Sequence, residues 1–224
     1  MSGLFTYVEV IVLGAALSVV IYAAAAATLA TGSAARGTAI AAIALAWFLV
    51  VWELARLGVF EGGRPGWRTA LGLAVLLPVM TTVLARGALS RSATMPAPGS
   101  LVSLQAYRLV SITLLIALAG EALPAWIAVP WGLGDLAVAL VAPPLGAALG
   151  RGRTGASRAH LAWSAAGVAV VVFGLAVVLI TGRTAGYFLT LYPLVLIPAF
   201  LGPCSLLLHA LALGTNTRSQ AVGG

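Results

Sequence analysis

Five carboxyl groups and two histidines are the side chains able to do acid–base chemistry in this sequence of 224 residues. Arg108 and Asp135 lie at equal distances along the chain from a turn near Gly120 to Pro124. Two antiparallel helices joined by that turn would hold both side chains at one depth, where an arginine keeps a carboxyl group ionised. We therefore predict a buried Arg108–Asp135 ion pair, which serves either as a staple between helices or as an acid or substrate anchor.

Glu53, Glu9 and Glu121 are further carboxyl groups, and their positions put them in the outer half of the same bundle. Arg56 follows Glu53 by three residues and shares its helix face, so a local ion pair is one interpretation of both residues. The alternative places Glu53 in a dry cavity, where desolvation keeps a carboxyl group protonated and able to act as a general acid. Both interpretations stay open on the sequence alone.

Aromatic side chains are concentrated in the same outer half. Most residues of this kind form the interfacial belt of membrane proteins, but ring faces also attract a cation strongly where water is excluded. The candidate substrate-binding residues are the aromatic and polar side chains that would line such a pocket: Trp47, Trp52, Glu9, Tyr107, Arg108, Glu121, Trp126, Trp131 and Tyr192.

His160 and His209 are the only histidines, and both fall toward helix ends on the side opposite to these carboxyl groups. A bis-histidine haem or metal site is geometrically conceivable, yet no carboxylate accompanies the pair, so interfacial histidines are the favoured interpretation. Cys204 stands alone and offers no thiolate cluster. We expect no metal site and no cofactor.

The elements that must position these residues are membrane-spanning helices. Of all residues, 62% are apolar and 8% are charged, against about half and about a quarter in soluble domains. Apolar runs of about 20 residues take up nearly the whole chain. We therefore predict a single transmembrane helical domain over residues 1–224.

We predict an all-α fold, a polytopic membrane protein built as a bundle of seven transmembrane helices. Apolar runs bounded by charged, Gly-rich or Pro-rich segments define the spans 4–30, 38–60, 68–86, 101–119, 124–149, 160–181 and 186–213. Short connectors make neighbouring helices antiparallel. Prolines interrupt the fifth and seventh spans and free backbone carbonyl groups, so these two helices either line a cavity or are merely kinked.

Arginines set the predicted orientation. The net charge of +7 comes from twelve arginines and no lysine. Loops after the odd-numbered spans hold seven arginines, and the other side holds three or four. Because cytoplasmic loops carry the excess of basic residues, we predict that the N-terminus lies outside and the C-terminus in the cytoplasm. The scattered arginines form no contiguous basic surface, so nucleic acid is not an expected partner.

A set of residues in the C-terminal half resembles a family of small bacterial membrane proteins. The set comprises Gln105, Tyr107, Arg108, Gly120, Leu123, Pro124, Gly132, Gly134, Asp135, the run from Tyr192 to Pro198, and His209. This resemblance implies no activity. It implies a location in the bacterial inner membrane.

The size, the helix number and the acid in the second helix resemble the integral-membrane terpene cyclases of meroterpenoid and indole-terpenoid pathways. In that family a carboxylic acid protonates an alkene or epoxide of a prenyl chain, and aromatic side chains stabilise the carbocation. The resemblance implies a proton-initiated cyclase with Glu53 as the proton donor and Asp135 as a second candidate. Its partners would be a lipid-like prenylated small molecule and membrane lipids, and the reaction needs no Mg²⁺.

Two other classes of function stay open. A small proton-coupled transporter or channel would also place Arg108, Asp135 and Glu53 between proline-broken helices. The chain could instead be a non-catalytic haem-binding or scaffold subunit. A retinal Schiff base is excluded because the sequence has no lysine. The oligomeric state stays open.

Overall fold

In the computed structural model, residues 2–89 and 97–222 are described, and they form helices and turns without any strand. The helices are α1 (Ser2–Thr31), α2 (Ala34–Arg56), α3 (Trp67–Leu89), α4 (Pro98–Leu104), α5 (Ile112–Ala119), α6 (Ala125–Gly150), α7 (Ala156–Thr181) and α8 (Gly202–Val222). Two 3₁₀ segments, Gln105–Ser111 and Tyr187–Thr190, and one π segment, Ile197–Leu201, complete the order. The predicted all-α fold is confirmed for these residues.

Six helical stretches of the described chain are long and apolar enough to cross a membrane. They are Thr6–Leu29, Ala34–Arg56, Pro98–Ala119, Ala125–Gly150, Ala156–Thr181 and Ile197–Gly214. A shorter apolar helix, Trp67–Pro78, occupies the position of the third predicted span. Large apolar side chains also cover the outside of the bundle, as at Ile180, which is 74% exposed. An apolar exterior of this kind fits a hydrocarbon surrounding better than water.

The predicted interruption of the seventh span is confirmed, and it is larger than a kink. Instead of one helix over 186–213, the chain forms the 3₁₀ segment Tyr187–Thr190, a bend and turns through residues 191–195, and the π segment. Pro193 lies in this break, because proline has no N–H to donate and disfavours a helical conformation in the preceding residue. Pro198 lies inside the π segment. The α-helix α8 therefore begins only at Gly202.

The prediction that prolines interrupt the fifth span is wrong. The corresponding helix α6 runs unbroken with Pro130, Pro143 and Pro144 inside it. Prolines are tolerated in apolar helices when neighbouring elements surround the freed carbonyl groups. Helix α6 is such a case, because α4, the 3₁₀ segment Gln105–Ser111, α5 and α7 all pack against it.

The hydrophobic core lies between these elements and α8, with α1 packed on one side against α2 and the 3₁₀ segment. The larger apolar cluster includes Val12, Val51, Leu114, Ile127 and Phe200. A smaller cluster surrounds Trp163 with residues of α4, α6 and α8, among them Leu101, Val138 and Leu208. The core thus holds the stretch from α4 to α5 between α6 and α8.

Helices α4 and α6 come unusually close because two glycines face each other. A side-chain carbon at Gly99 would lie 2.4 Å from the carbonyl oxygen of Gly146, and one at Gly146 would lie 2.5 Å from that of Gly99. Small residues allow such close contacts in apolar helix bundles. This contact holds the chain before Gln105 firmly against α6.

The loops 57–66 and 182–191 interlock at one end of the bundle. Gly62 N–H donates to Thr190 Oγ1 at 3.0 Å, and Arg183 Nε donates to Gly62 O at 2.8 Å. Tyr187 Oη donates to Glu61 Oε1, and this hydrogen bond is the main reason why the pKa of Tyr187 is raised above its ordinary value. Gly62 is therefore the residue at which the two loops join.

We predict that Gly62→Ala destabilises the fold, because a side-chain carbon at that position would lie 1.8 Å from Gly182 O. The backbone of both loops would have to move, and overpacking of this kind costs about 1–3 kcal/mol. Gly63→Ala is the matched control, since nothing lies within 4 Å of a side-chain carbon at Gly63. Thermal unfolding measured in nanodiscs should give a lower Tm for Gly62→Ala but not for Gly63→Ala. Equal Tm values for the two variants would contradict the interlock of the loops.

Candidate functional site

A buried ion pair lies in the middle of the bundle. Arg108, in the 3₁₀ segment Gln105–Ser111, donates from Nε to Asp135 Oδ1 at 3.0 Å and from Nη2 to the same oxygen. The two residues are only 2% and 5% exposed. Charge-assisted contacts of this kind stabilise the carboxylate of Asp135. The predicted Arg108–Asp135 ion pair is confirmed.

Two further groups complete the surroundings of the Arg108 guanidinium. Its Nη1 lies 3.2 Å from His209 Nε2 on α8, and its Nη2 donates to Gly167 O on α7 at 3.0 Å. A guanidinium only donates hydrogen bonds, so His209 Nε2 is the acceptor and the ring proton sits on Nδ1. A neutral histidine is therefore part of this central cluster, which we define as Arg108, Asp135, His209 and the Gly167 carbonyl group.

Gly167 makes this arrangement possible by its lack of a side chain. A side-chain carbon at Gly167 would lie 2.4 Å from His209 Nε2 and 2.9 Å from Arg108 Nη1. His160 and His209 are 0% and 1% exposed, so both side chains lie inside the bundle rather than on its surface. The reason is that α8 packs against both α4 and α7, so its polar face is enclosed.

Polar side chains attach the 3₁₀ segment to the last helix. Gln105 Nε2 donates to Ser205 O at 3.1 Å, and Ser205 Oγ donates to Gln105 Oε1 at 3.0 Å. Tyr107 Oη donates to Leu201 O at 2.8 Å. Leu201 ends the π segment, so the tyrosine supplies a donor where the helical hydrogen-bond pattern changes. These contacts fix the segment that carries Arg108.

A small cavity of about 20 Å³ lies beside the ion pair. Tyr107, Arg108, Trp131, Asp135 and Ser205 are among its lining residues. This volume is enough for about one water molecule. The central cluster therefore has no room for a bulky substrate of its own.

A much larger groove of about 980 Å³ opens between α1 and the side of the bundle formed by α4, α6 and α8. Its lining is mainly apolar and rich in alanine and glycine. The residues are Ser18, Val19, Tyr22, Ala23, Ala25, Ala26, Leu29, Ala97, Gly99, Ser100, Ser103, Leu104, Ala106, Tyr107, Pro143, Gly146, Ala147, Gly150 and Leu208. Tyr107 lines both the groove and the small cavity, so this side chain stands between the groove and the ion pair.

Glu9, Trp52 and Tyr192 form a second polar group, the outer network, which joins α1, α2 and the segment before α8. Trp52 Nε1 donates to Tyr192 Oη at 3.1 Å, and Tyr192 Oη donates to Glu9 Oε1 at 2.5 Å. Burial and then this hydrogen bond to Glu9 raise the pKa of Tyr192 above its ordinary value. The hydroxyl therefore stays protonated and keeps donating at neutral pH. Three of the residues named from the sequence thus come together.

Glu53 lies outside this network. Its Oε2 is 3.5 Å from Arg56 Nη1, and each of the two side chains is 53% exposed. Arg56 in turn lies over the ring of Trp52, 5.1 Å from its centroid. The local ion pair is the interpretation that this geometry matches, and the exposed carboxyl group of Glu53 does not point into a closed cavity.

The other candidate residues are dispersed. Glu121 is exposed in the turn before α6, where its φ of 57° is in the left-handed region. Trp126 is 53% exposed on the surface, whereas Trp131 is buried beside Asp135. Trp47 is half-buried and packs against the larger apolar cluster. Of these four residues, Trp131 alone lines the small cavity.

Sequence reasoning missed Gln105, Ser205 and Gly167 as parts of the central region. Ser205 and His209 are four residues apart and share one face of α8, and this spacing of polar residues in an apolar helix is a usable signal. Gly167 acts through its carbonyl group and its missing side chain. No pattern of residue types in the sequence marks that role.

The chain belongs to the family described as Domain of unknown function (DUF8737), whose model matches residues 65–215. No curated protein and no solved structure matches the chain. The matched region contains the whole central cluster, whereas Glu9 and Trp52 of the outer network precede it.

Among the residues that the structure describes, no three His, Cys, Asp or Glu side chains are grouped to hold a metal ion.

We predict that Arg108→Ala destabilises the protein more than Arg108→Ala combined with Asp135→Ala. The single change leaves an unpaired charge in the interior, which costs about 3–5 kcal/mol, whereas the double change leaves none. The measurement is a double-mutant cycle on unfolding in detergent or nanodiscs.

Glu53→Ala with Arg56→Ala is the matched control for this cycle, because an exposed pair couples by only about 0–1 kcal/mol. The control cycle should therefore be nearly additive. Additive losses for Arg108 and Asp135 would contradict the energetic coupling of the buried pair.

Proposed function

We propose that this chain is an integral protein of the bacterial inner membrane with seven spanning helices. The six long apolar helices support the membrane location, and α3 supplies the seventh crossing. An odd number of crossings puts the two termini on opposite sides of the membrane, and we place the N-terminus outside and the C-terminus in the cytoplasm. Arg151, Arg153 and Arg158 support this orientation, since they follow α6 on the side that the positive-inside rule assigns to the cytoplasm.

We propose that the groove between α1, α4, α6 and α8 binds the apolar chain of a lipid-like prenylated molecule. The observation that carries this proposal is the groove itself, with its volume of about 980 Å³ and its apolar walls. Ligand sites have volumes of about 300–1,000 Å³ and are lined mostly by apolar groups. A prenyl chain already dissolved in the bilayer reaches such a groove between helices without passing through water.

The reaction that we propose on this ligand is a proton-initiated cyclisation of class II type. A carboxylic acid adds its proton to an alkene or epoxide of the substrate and becomes a carboxylate. The resulting cation closes a ring, and loss of a proton from a neighbouring carbon to a carboxylate ends the reaction. Substrate and product are therefore isomers, and no electrons pass to a partner.

The geometry favours Glu9 over Glu53 as the proton donor. Glu9 Oε1 accepts a hydrogen bond from Tyr192, which holds this carboxyl group in place. Trp52 and Tyr192 offer ring faces beside this carboxyl group, and such faces stabilise a cation in a dry site. Glu53 instead lies exposed beside Arg56 and has no closed cavity in which to protonate a substrate.

Glu9 and the groove lie on the same helix, α1. Ser18, the first groove residue of α1, follows Glu9 by nine residues, which is about 13 Å along a helix. Nine residues are two and a half turns of an α-helix, so Glu9 and Ser18 point to opposite sides of α1. A prenyl chain that reaches from the groove to the outer network therefore passes around this helix. The proposal places the apolar tail in the groove and the reacting end near Glu9.

Asp135 takes a different role in this proposal. It is paired with Arg108 inside the bundle and lines the small cavity, not the groove. Because Arg108 balances its charge, the pair serves to hold the 3₁₀ segment whose Tyr107 lines the groove. Asp135 is therefore a structural anchor rather than the acid.

A small proton-coupled transporter is the second candidate, and the central cluster is the observation that favours it. Ionisable groups of this kind inside a membrane commonly mark ion or proton pathways. Arg108, Asp135 and His209 come from three elements that meet within the bundle. In a transporter Asp135, and not Glu9, would be the required acid.

We predict that reporter fusions place the loop 150–158 in the cytoplasm and the loop 61–67 outside. Three crossings, those of α3, the α4–α5 stretch and α6, separate the two loops. Each loop is fused in turn to two reporter enzymes, one that is active only in the cytoplasm and one that is active only outside it, and both activities are measured. Both loops on one side would show that α3 does not cross, and reversed sides would contradict the orientation.

We predict that Glu9→Gln keeps substrate binding but lowers turnover of a prenylated substrate about 10²–10⁴-fold, the usual contribution of a general acid. The amide keeps the shape of the acid but has no acidic proton. Ala147→Trp fills the groove, which Ala147 lines, and should lower both binding and turnover. The measurement is conversion of a panel of prenylated compounds by the protein in nanodiscs, followed by mass spectrometry.

Glu53→Gln and Leu140→Trp are the matched controls. Leu140 lies on the same helix as Ala147 but is 67% exposed and does not line the groove, so neither control should change turnover. Loss of turnover in Glu53→Gln alone would return the donor role to Glu53. Proton flux in liposomes that Asp135→Asn stops, with no conversion of any prenylated compound, would replace the cyclase by the transporter.

A further inference from the structure

His160, Ser164 and His209 form a buried polar strip between α7 and α8 with unused hydrogen-bonding capacity. Both ring nitrogens of His160, Ser164 Oγ and His209 Nδ1 have no partner among the residues that the structure describes. The three residues are 0%, 1% and 1% exposed. An unpaired polar atom in an apolar interior is costly, so a cluster of four such atoms points to a ligand.

The strip runs along one face of α7, away from the ion pair. His160, Ser164 and Gly167 are spaced by four and three residues, which puts them on the same helix face. Gly167 is the residue that touches both Arg108 and His209. From Gly167 to His160 the distance along α7 is about 10 Å, and His160 lies in the first turns of that helix. The strip therefore leads from the central cluster toward one end of the bundle.

Apolar groups enclose the strip. The Trp163 ring contacts both histidines, with centroid distances of 6.2 Å to His160 and 4.8 Å to His209. Its Nε1 already donates to Val138 O at 3.0 Å, so Trp163 does not satisfy the strip. Leu101 and other apolar side chains pack around the indole ring. Whatever pairs with the polar atoms must therefore be small.

The chemistry of the four atoms defines the ligand. A neutral His160 offers one donor and one acceptor, Ser164 offers both, and His209 Nδ1 offers a donor because its Nε2 faces Arg108. The ligand must therefore both donate and accept hydrogen bonds. A metal cation does not fit, since His209 Nδ1 carries a proton and the described residues group no third ligating side chain there.

We propose that water molecules bind in this strip and connect the Arg108–His209 contact with the end of α7. Buried waters typically make two to four hydrogen bonds to polar groups of this kind. His209 exchanges its Nδ1 proton with the bound water and takes one back, while Nε2 stays with Arg108. The central cluster is thereby open to proton exchange through the strip. This inference does not depend on whether the protein is a cyclase or a transporter.

The first test is nitrogen-15 NMR of the full chain in nanodiscs with labelled histidine, which yields signals from only two residues. We expect a neutral His209 with its proton on Nδ1, and a magnetisation transfer from water to that proton. A proton on Nε2, or an Nδ1 proton without contact to water, would overturn the proposal.

The second test is hydroxyl-radical footprinting by brief X-ray exposure in ¹⁸O-labelled water. Trp163 and His209 should incorporate ¹⁸O several-fold faster than Phe200, a residue 1% exposed whose ring packs against Phe48 in the apolar core. His160→Leu with Ser164→Ala removes the polar atoms and should reduce labelling of Trp163 to the level of Phe200.

Equal labelling of Trp163 and Phe200 in the unchanged protein would overturn the water site. So would a transition metal that purifies with the protein in stoichiometric amount and is lost in the His160→Leu variant. If the double variant does not fold, the NMR measurement on the unchanged protein decides alone.

Discussion

Arg108 brings a positive charge and five N–H groups into an apolar interior. The charge needs a negative partner there, and the N–H groups need hydrogen-bond acceptors. Asp135 supplies the negative charge, while His209 and the Gly167 carbonyl group accept further hydrogen bonds. The three partners belong to α6, α7 and α8. These helices must therefore meet around the 3₁₀ segment at one depth, and the glycine at position 167 is what lets α7 come close enough.

The 3₁₀ geometry of the segment Gln105–Ser111 has a direct consequence for this arrangement. In a 3₁₀ helix, residues three apart lie above one another, so Gln105 and Arg108 both face α8. Their partners there, Ser205 and His209, are four residues apart, which is the matching repeat of an α-helix. Three residues of the 3₁₀ helix thus match four residues of the α-helix, so that Gln105 meets Ser205 and Arg108 meets His209.

Some of these features follow from the sequence and others do not. The Arg108–Asp135 pair is predictable because equal distances from a turn put residues of antiparallel helices at equal depth. The contact between Glu9 and Tyr192 joins residues 183 positions apart, and only the tertiary packing of α1 against the segment before α8 brings them together. The burial of His209 was equally out of reach, because it depends on α8 lying inside the bundle. The prolines of the seventh span predict a break before α8. They do not predict its length, because the apolar run continues on both sides of them.

The alanine run of α1 sets the width of the groove. Ala23, Ala25 and Ala26 form part of its wall, and a methyl group is the shortest side chain an ordinary residue can offer there. The width of the groove therefore depends on the size of the side chains on this one helix. The polar groups in its lining are mainly a few serine and tyrosine hydroxyls. If the groove binds an apolar chain as proposed, valine or leucine at these positions would narrow it and admit only thinner chains with fewer methyl branches.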